Sequence, residues 1–354
     1  MKPDQRNQFD DKTMKFENER RKFLGKMAVG TLAGLTPLNS LLATSPMKIK
    51  AAEKDFVPVM LTPYKANKSV DYNGLKKLTD YYLKSGARGF FANCLSSEMY
   101  DLSPEERLKV TRTVVKQVNG RFPVVATGSF GNTAREKADF TKKIADTGVD
   151  AVIMITSHFA EKGESDDVMI KNLEAFMSLT EDIPLGTYEC PSPYKRILSE
   201  SVLEFLLKSG RLIYHKDTSE DIDNILQKLK IAAGSKMGFY NAHIGSAVTS
   251  LRNGGAGLSP IAGNYYPEVI SWLCKNADDS GKKEQVDWLQ KNLAAMESRI
   301  TANYMLTSRY YLNKEGLDLE IISRRATTPL SSDQKAVVDK AYAEVQEWKE
   351  ELAV

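Results

Sequence analysis

Cysteine and histidine are scarce, with three of each in 354 residues. Cys94, Cys190 and Cys274 show no metal-ligand spacing, and their odd number argues against a disulfide framework; they read as small buried hydrophobes. His158, His215 and His243 are just as dispersed and suggest no metal site. An excess of one charge sign is also missing. The 49 Lys and Arg against 46 Asp and Glu leave +3, too weak a field for a nucleic-acid or membrane surface. No G-x-G-x-x-G follows the first apolar run, which argues against an open dinucleotide-binding sheet. Core material, by contrast, is plentiful. The 42% hydrophobic and 27% charged content is that of a soluble globular protein, long enough for one large domain or two ordinary ones.

Uninterrupted apolar runs fall short of the roughly 20 residues that span a bilayer. In the N-terminal region the longest is "MAVGTLAGLTPLNSLLA" at 27–43, broken by Gly and Pro, which suits the apolar part of a signal peptide. It follows "ERRKFLGK", where Arg20-Arg21 and then Phe23-Leu24 resemble a twin-arginine export signal, a receptor-read address rather than an anchor. Residues 1–54 are therefore expected to be a signal peptide and linker, cleaved between Ala43 and Ala52. The mature protein is expected to be periplasmic and without a membrane anchor. Fractionation of an Arg20→Lys, Arg21→Lys variant tests this, since continued export would reject it.

From residue 55 a regular alternation begins. The runs at 56–64, 89–95, 123–129, 151–156, 184–190, 212–217, 237–242 and 256–263 are short, apolar and rich in β-branched residues. Stretches of helical period begin near Asp71, Ser103, Asn132, Asp166, Ser199, Asp221, Gly245 and Tyr265. Continuous apolar strands belong to a parallel sheet covered on its outer face. Eight βα units in about 225 residues predict an α/β fold, a (β/α)8 TIM barrel over 55–280. Residues 281–354 read as appended C-terminal helices that pack on the barrel or on another subunit.

In such a barrel the working residues project from the C-terminal ends of the strands. Those ends offer Ser96 and Ser97 after the second strand and His158 after the fourth. Tyr188 and Glu189 lie on the fifth, Lys216 on the sixth, Asn241 and His243 on the seventh, and Ser259 on the eighth. A lysine in a low-dielectric pocket loses its proton more readily, leaving a free amine that attacks ketones. Alone, Lys216 reads as a structural lysine paired with Asp217 or Glu220. Tyr188 alone reads as core. Neighbouring parallel strands lie about 5 Å apart, so the two meet over one substrate if they sit at matching heights.

The motifs around this pair resemble those of the dihydrodipicolinate synthase / N-acetylneuraminate lyase family. "TYECPSP" (187–193) is similar to its Tyr-x-x-Pro strand and "HKDTSED" to its lysine segment. "SSEMYDLSPEER" is similar to its Gly-Glu segment, and "GGAGLSPIAGNYYPE" to its eighth strand. The resemblance spans about residues 55–280. It implies that Lys216 forms a Schiff base with a small 2-oxo acid such as pyruvate and that Tyr188 moves the proton. Ser96, with the Ser96–Ser97 amides, is implied to hold the carboxylate, and Ser259 to line the ketone pocket. It implies no metal and no organic cofactor, and assembly as a homodimer or homotetramer.

Three departures from the family pattern bear on the substrate. Leu95 stands where a relay hydroxyl is usual, Phe159 where dihydrodipicolinate synthases borrow an aromatic hydroxyl from a neighbouring subunit, and Pro193 where an arginine grips the second substrate. Ser97 also replaces the Gly of the Gly-Glu pair. His158, Glu189, Arg196, Asn241 and His243 are then the candidates for recognising a different second half. The expected function is a class I aldolase acting on a 2-keto-3-deoxy sugar acid or a sialic-acid-like substrate rather than dihydrodipicolinate synthesis. The alternatives are a keto-deoxy sugar acid dehydratase using the same lysine and a non-catalytic 2-oxo acid or sugar acid binding protein.

Overall fold

The computed structural model describes residues 53–354; the export signal read upstream lies outside the described residues. Eight strands follow one another: β1 Asp55–Phe56, β2 Phe90–Asn93, β3 Val124–Thr127, β4 Ala151–Ile155, β5 Leu185–Tyr188, β6 Leu212–Asp217, β7 Gly238–Asn241 and β8 Gly257–Leu258. Between and after them run α1 Tyr72–Lys84, α2 Pro104–Val118, α3 Ala134–Ala145, α4 Asp166–Met177, α5 Glu200–Lys208, α6 Ile222–Ala232, α7 Ala247–Arg252 and α8 Pro267–Asn276. All strand pairs are parallel, in the order β1-β8-β7-β6-β5-β4-β3-β2. The ring closes through one stretch of chain. The Val57 N–H donates to the Leu258 carbonyl of β8, and the Pro58 carbonyl accepts from the Phe91 N–H of β2. This is the (β/α)8 barrel that the sequence predicts.

Local chemistry fixes the helix starts. Ser103 caps α2 in a reciprocal box with Glu106, with Pro104 in the first turn, and Thr133 caps α3 in the same way with Glu136; each such cap contributes about 1 kcal/mol. The cap of α3 is thus Thr133 rather than Asn132, and that of α4 is Ser165. The first and last strands are shorter than their apolar runs. Pro58 has no N–H to give a ladder, and after Pro260 the chain enters a 3-10 turn at Ile261–Asn264. Gly257 is required where β8 meets β1, because a Cβ there would lie 2.0 Å from the Asp55 carbonyl oxygen.

Buried apolar side chains form two groups. One fills the barrel interior and includes Val57, Phe91, Cys94, Val125, Ile153, Ile155, Tyr188, Cys190 and Tyr214. The larger one lies between the strands and the helices, with Leu75, Val114, Ile144, Leu173, Leu203 and Leu229 among its members. It continues into the appended helices α9 Lys283–Ile300, α10 Tyr304–Lys314 and α11 Ser332–Leu352. Tyr311 of α10 and Trp348 of α11 meet Tyr266 edge to face, with ring centroids 6.4 and 6.2 Å apart. The extension therefore packs on its own barrel.

Candidate active site

Strand alternation sorts β6 into two faces. Tyr214 and Lys216 point into the barrel; His215 and Asp217 point toward the helices. Lys216 pairs in register with Tyr188 on β5 and Tyr240 on β7, so the lysine and Tyr188 do sit at one height. The Lys216 Nζ lies 4.7 Å from the Tyr188 ring centroid and 5.8 Å from that of Phe91. Gly186, two residues before Tyr188, leaves room beneath them, since a Cβ there would come within 2.4 Å of Ile153 and 2.9 Å of Tyr214.

Lys216 is 3% exposed. The two acids nearest in sequence do not pair with it: the Asp217 Oδ2 accepts from the Lys228 Nζ at 2.7 Å, and the Glu220 Oε1 from the Lys195 Nζ at 2.9 Å. Burial pushes the Lys216 ammonium down from 10.5 to about 8. At pH 7 roughly a tenth of it is then free amine, about 300-fold more than at an ordinary lysine. Burial pushes the Tyr188 hydroxyl well above its usual range, so it stays protonated. Burial holds the Cys190 thiol neutral by pushing it up to about 11. All three cysteines are buried and unpaired, and two of them, Cys94 and Cys190, belong to the interior around this pair.

The serines lie nearby but differ in how they are engaged. Ser96, in the 3-10 turn Leu95–Ser97 beyond β2, accepts at Oγ from the Tyr304 hydroxyl at 3.0 Å. Ser97 turns the other way. Its hydroxyl donates to the Met60 carbonyl at 2.7 Å and its amide to the Cys94 carbonyl at 3.0 Å, so of the two residues only Ser96 keeps a side-chain proton for a ligand. The Ser259 hydroxyl donates to the Val57 carbonyl at 2.9 Å, where the barrel closes.

The five candidates for recognition separate. His158 lines the loop beyond β4. Its Nδ1 faces the Ser129 carbonyl at 2.7 Å, which only accepts, so Nδ1 carries the proton; Nε2 lies 3.0 Å from the Tyr100 hydroxyl, whose own proton goes to the Ser192 carbonyl at 2.8 Å. Burial pushes this imidazole down to about 4, and it is neutral at physiological pH. Phe159 beside it packs into the shell against Phe176, with centroids 5.1 Å apart. Arg196 is engaged by Asp166 and by the Glu164 carbonyl, both at 3.0 Å. Asn241 and His243 bond to each other and to the Ser246 hydroxyl, on the helix side of β7.

Glu189 is on the helix-facing side of the wall. Its carboxylate accepts from the Leu198 and Thr218 amides at 2.8 and 2.9 Å and from the Lys228 ammonium. Glu189, His215 and Asp217 bring potential metal-ligand atoms within 4.8 Å of one another. The Lys228 ammonium, bonded to both carboxylates, supplies the positive charge at that place.

Sequence reasoning missed Tyr100, Lys228 and Tyr304. Tyr100 lies two residues beyond the buried Glu98, whose carboxylate holds Arg309 at 2.8 Å. Lys228 looks like any charge on an amphipathic helix. Tyr304 sits in the C-terminal extension, where no spacing ties it to the barrel mouth.

The dihydrodipicolinate synthetase family model matches residues 53–345. Among curated relatives, the 4-hydroxy-tetrahydrodipicolinate synthases of Bacillus velezensis and Bacillus subtilis are each 27% identical, over 81% of this chain and 97% of their own length. Among solved structures, a sialic acid aldolase lysine mutant from Ruminococcus gnavus superposes with a TM-score of 0.75 at 19% identity, covering 85% of this chain and 98% of its own. A prophage protein of the same family from E. coli K12, in complex with pyruvate, gives 0.74 at 20% identity, with 83% and 98% covered. At these identities the structural likeness bears on the fold, whereas the family model spans the motifs as well. The chain belongs to the dihydrodipicolinate synthetase family and is a lyase of the Schiff-base-forming class.

Proposed function

We propose that the protein is an aldolase that makes or breaks a carbon–carbon bond beside the carbonyl of a 2-oxo acid, with a 2-keto-3-deoxy sugar acid or sialic-acid-like compound as substrate. One observation carries this reading: a buried lysine with its ionisation lowered to about 8, no carboxylate partner among the described residues, and a tyrosine ring 4.7 Å away. The free amine of Lys216 adds to the ketone carbon, and loss of water leaves an iminium that accepts the electron pair of the breaking bond. Ser96 offers its hydroxyl proton to the substrate carboxylate. In the bond-forming direction the Tyr188 proton passes to the aldehyde oxygen as the enamine attacks; cleavage runs the same transfer backwards.

The curated relatives are named 4-hydroxy-tetrahydrodipicolinate synthases, so that activity, with aspartate semialdehyde as the acceptor, is tested beside the sugar acids. The experiment is borohydride reduction of the full protein with pyruvate, read by mass spectrometry. A fixed mass added at Lys216 is the expected result, and an unmodified protein beside a labelled control aldolase would end the proposal. Turnover is then compared for keto-deoxy sugar acids, N-acylneuraminates and pyruvate with aspartate semialdehyde. Pyruvate release marks cleavage, and loss of water without pyruvate marks a dehydratase.

A further inference from the structure

The hydroxyl on Ser96 has a fixed donor behind it, and that donor comes from the C-terminal extension. Its direction follows from one group that cannot donate. The Asn264 Nδ2 lies 2.9 Å from the Val59 carbonyl. A carbonyl only accepts, so this atom is the amide nitrogen, and the Oδ1 on the other side accepts from the Tyr82 hydroxyl. The second Nδ2 proton goes to the Tyr304 oxygen. Having accepted there, Tyr304 spends its single proton on the Ser96 Oγ at 3.0 Å. No acceptor among the described residues takes the Ser96 proton, which is the free end of the chain Asn264 → Tyr304 → Ser96.

Helix α10 is held so that this contact persists. Its start at Asn303 has a left-handed backbone, φ 53°, which asparagine tolerates better than most residues. The Tyr265 hydroxyl bonds the Ile300 carbonyl at 2.9 Å and the Thr307 hydroxyl at 2.8 Å. One turn on, the buried Arg309 pairs with Glu98 at 2.8 Å, anchoring the helix to the same loop that carries Ser96. Burial keeps the Tyr304 hydroxyl protonated.

We infer that Tyr304 is a positioning residue of the active site: it accepts from Asn264 and donates to Ser96, fixing the Ser96 hydroxyl so that its proton points at the carboxylate of the bound 2-oxo acid. A serine hydroxyl is otherwise free to rotate, and a hydrogen bond received at its oxygen strengthens the one it gives. The inference rests on the aldolase reading above. It also assigns the C-terminal extension a part in binding the anion, which neither the barrel nor its motifs require.

The test measures the pyruvate concentration that half-saturates borohydride labelling of Lys216. Tyr304→Phe keeps the ring and removes only the hydroxyl. The expected result is a rise of about tenfold, the equivalent of about 1.4 kcal/mol. Ser96→Ala should give a similar rise, and the double variant should be no worse than either single one, because both break the same chain. Methyl pyruvate, which lacks the anionic carboxylate, should label wild type and Tyr304→Phe with half-saturation within twofold of each other. A Tyr304→Phe value for pyruvate within twofold of wild type overturns the inference. So does a double variant near a hundredfold, or an equal loss with the ester, which would mark a packing role. If wild type itself is not labelled, the aldolase reading falls and this inference with it; labelled wild type with an unaffected Tyr304→Phe removes only the inference.

Discussion

Two buried lysines stand on opposite sides of one barrel wall. Lys216 is 3% exposed on the inner face of β6, with aromatic rings and thiols around it; Lys228 is 1% exposed on α6, with two carboxylates on its ammonium group. The strand itself makes the difference. Its alternation sends Lys216 inward and Asp217 outward, and β5 does the same with Tyr188 and Glu189. The acids that would have neutralised Lys216 are thereby delivered to Lys228. Burial is common to both residues, so burial alone does not make a lysine a nucleophile. What does so is the removal of every counter-charge to the far side of the wall.

The largest expected effect that tests this contrast is on the outer face. Lys228→Met leaves Glu189 and Asp217 buried without their cation, and a loss of about 3–5 kcal/mol in urea unfolding is expected. A loss below 1 kcal/mol at pH 8 would mean that the network of amides around the two acids suffices without Lys228.

On the inner face the sign reverses. Lowering Lys216 from 10.5 to about 8 costs the folded state about 3 kcal/mol at neutral pH, because the unfolded chain binds the proton more tightly. Lys216→Met is therefore expected to stabilise the protein by up to about 3 kcal/mol at pH 7 while abolishing pyruvate labelling. The gain should hold below about pH 8, shrink between pH 8 and 10.5, and vanish above that, where the lysine is neutral in both states. Urea titrations at pH 7 and pH 10.5 that show the same gain would remove burial of charge as its cause.

How far this contrast was legible beforehand depends on the distance over which each residue acts. The βα rhythm is written in contiguous runs, so the barrel follows from spacing; that Lys216 and Tyr188 work together is implied by the family resemblance, because spacing alone leaves open which face of its strand the lysine takes. Pro58 and Pro260 cut the first and last strands short of their apolar runs, a backbone effect that hydrophobicity does not record. Glu189, at the end of the fifth strand, reads from the sequence as a candidate for substrate recognition; the alternation that aims Tyr188 inward carries Glu189 out to Lys228. Lys228 and Tyr304 were beyond reach, because each gains its role only when a helix docks against a strand or loop distant in the chain.

The smallest expected effect separates the two faces most cleanly. The Thr187 hydroxyl, between Gly186 and Tyr188 on β5, bonds the His215 Nδ1 at 2.8 Å on the outer side of the wall. The other nitrogen of that imidazole faces Glu189 and Asp217 at 3.8 and 3.7 Å, too far for a hydrogen bond. Thr187→Val preserves shape and removes the hydroxyl, leaving a buried imidazole nitrogen without its partner, and a loss of about 1–2 kcal/mol is expected. Because Thr187 alternates with its inward neighbours, the half-saturating pyruvate concentration for labelling Lys216 should stay within twofold of wild type. A tenfold change would show that the wall transmits displacement from one face to the other. The contrast between the two lysines would then be one of mechanical coupling as well as of charge.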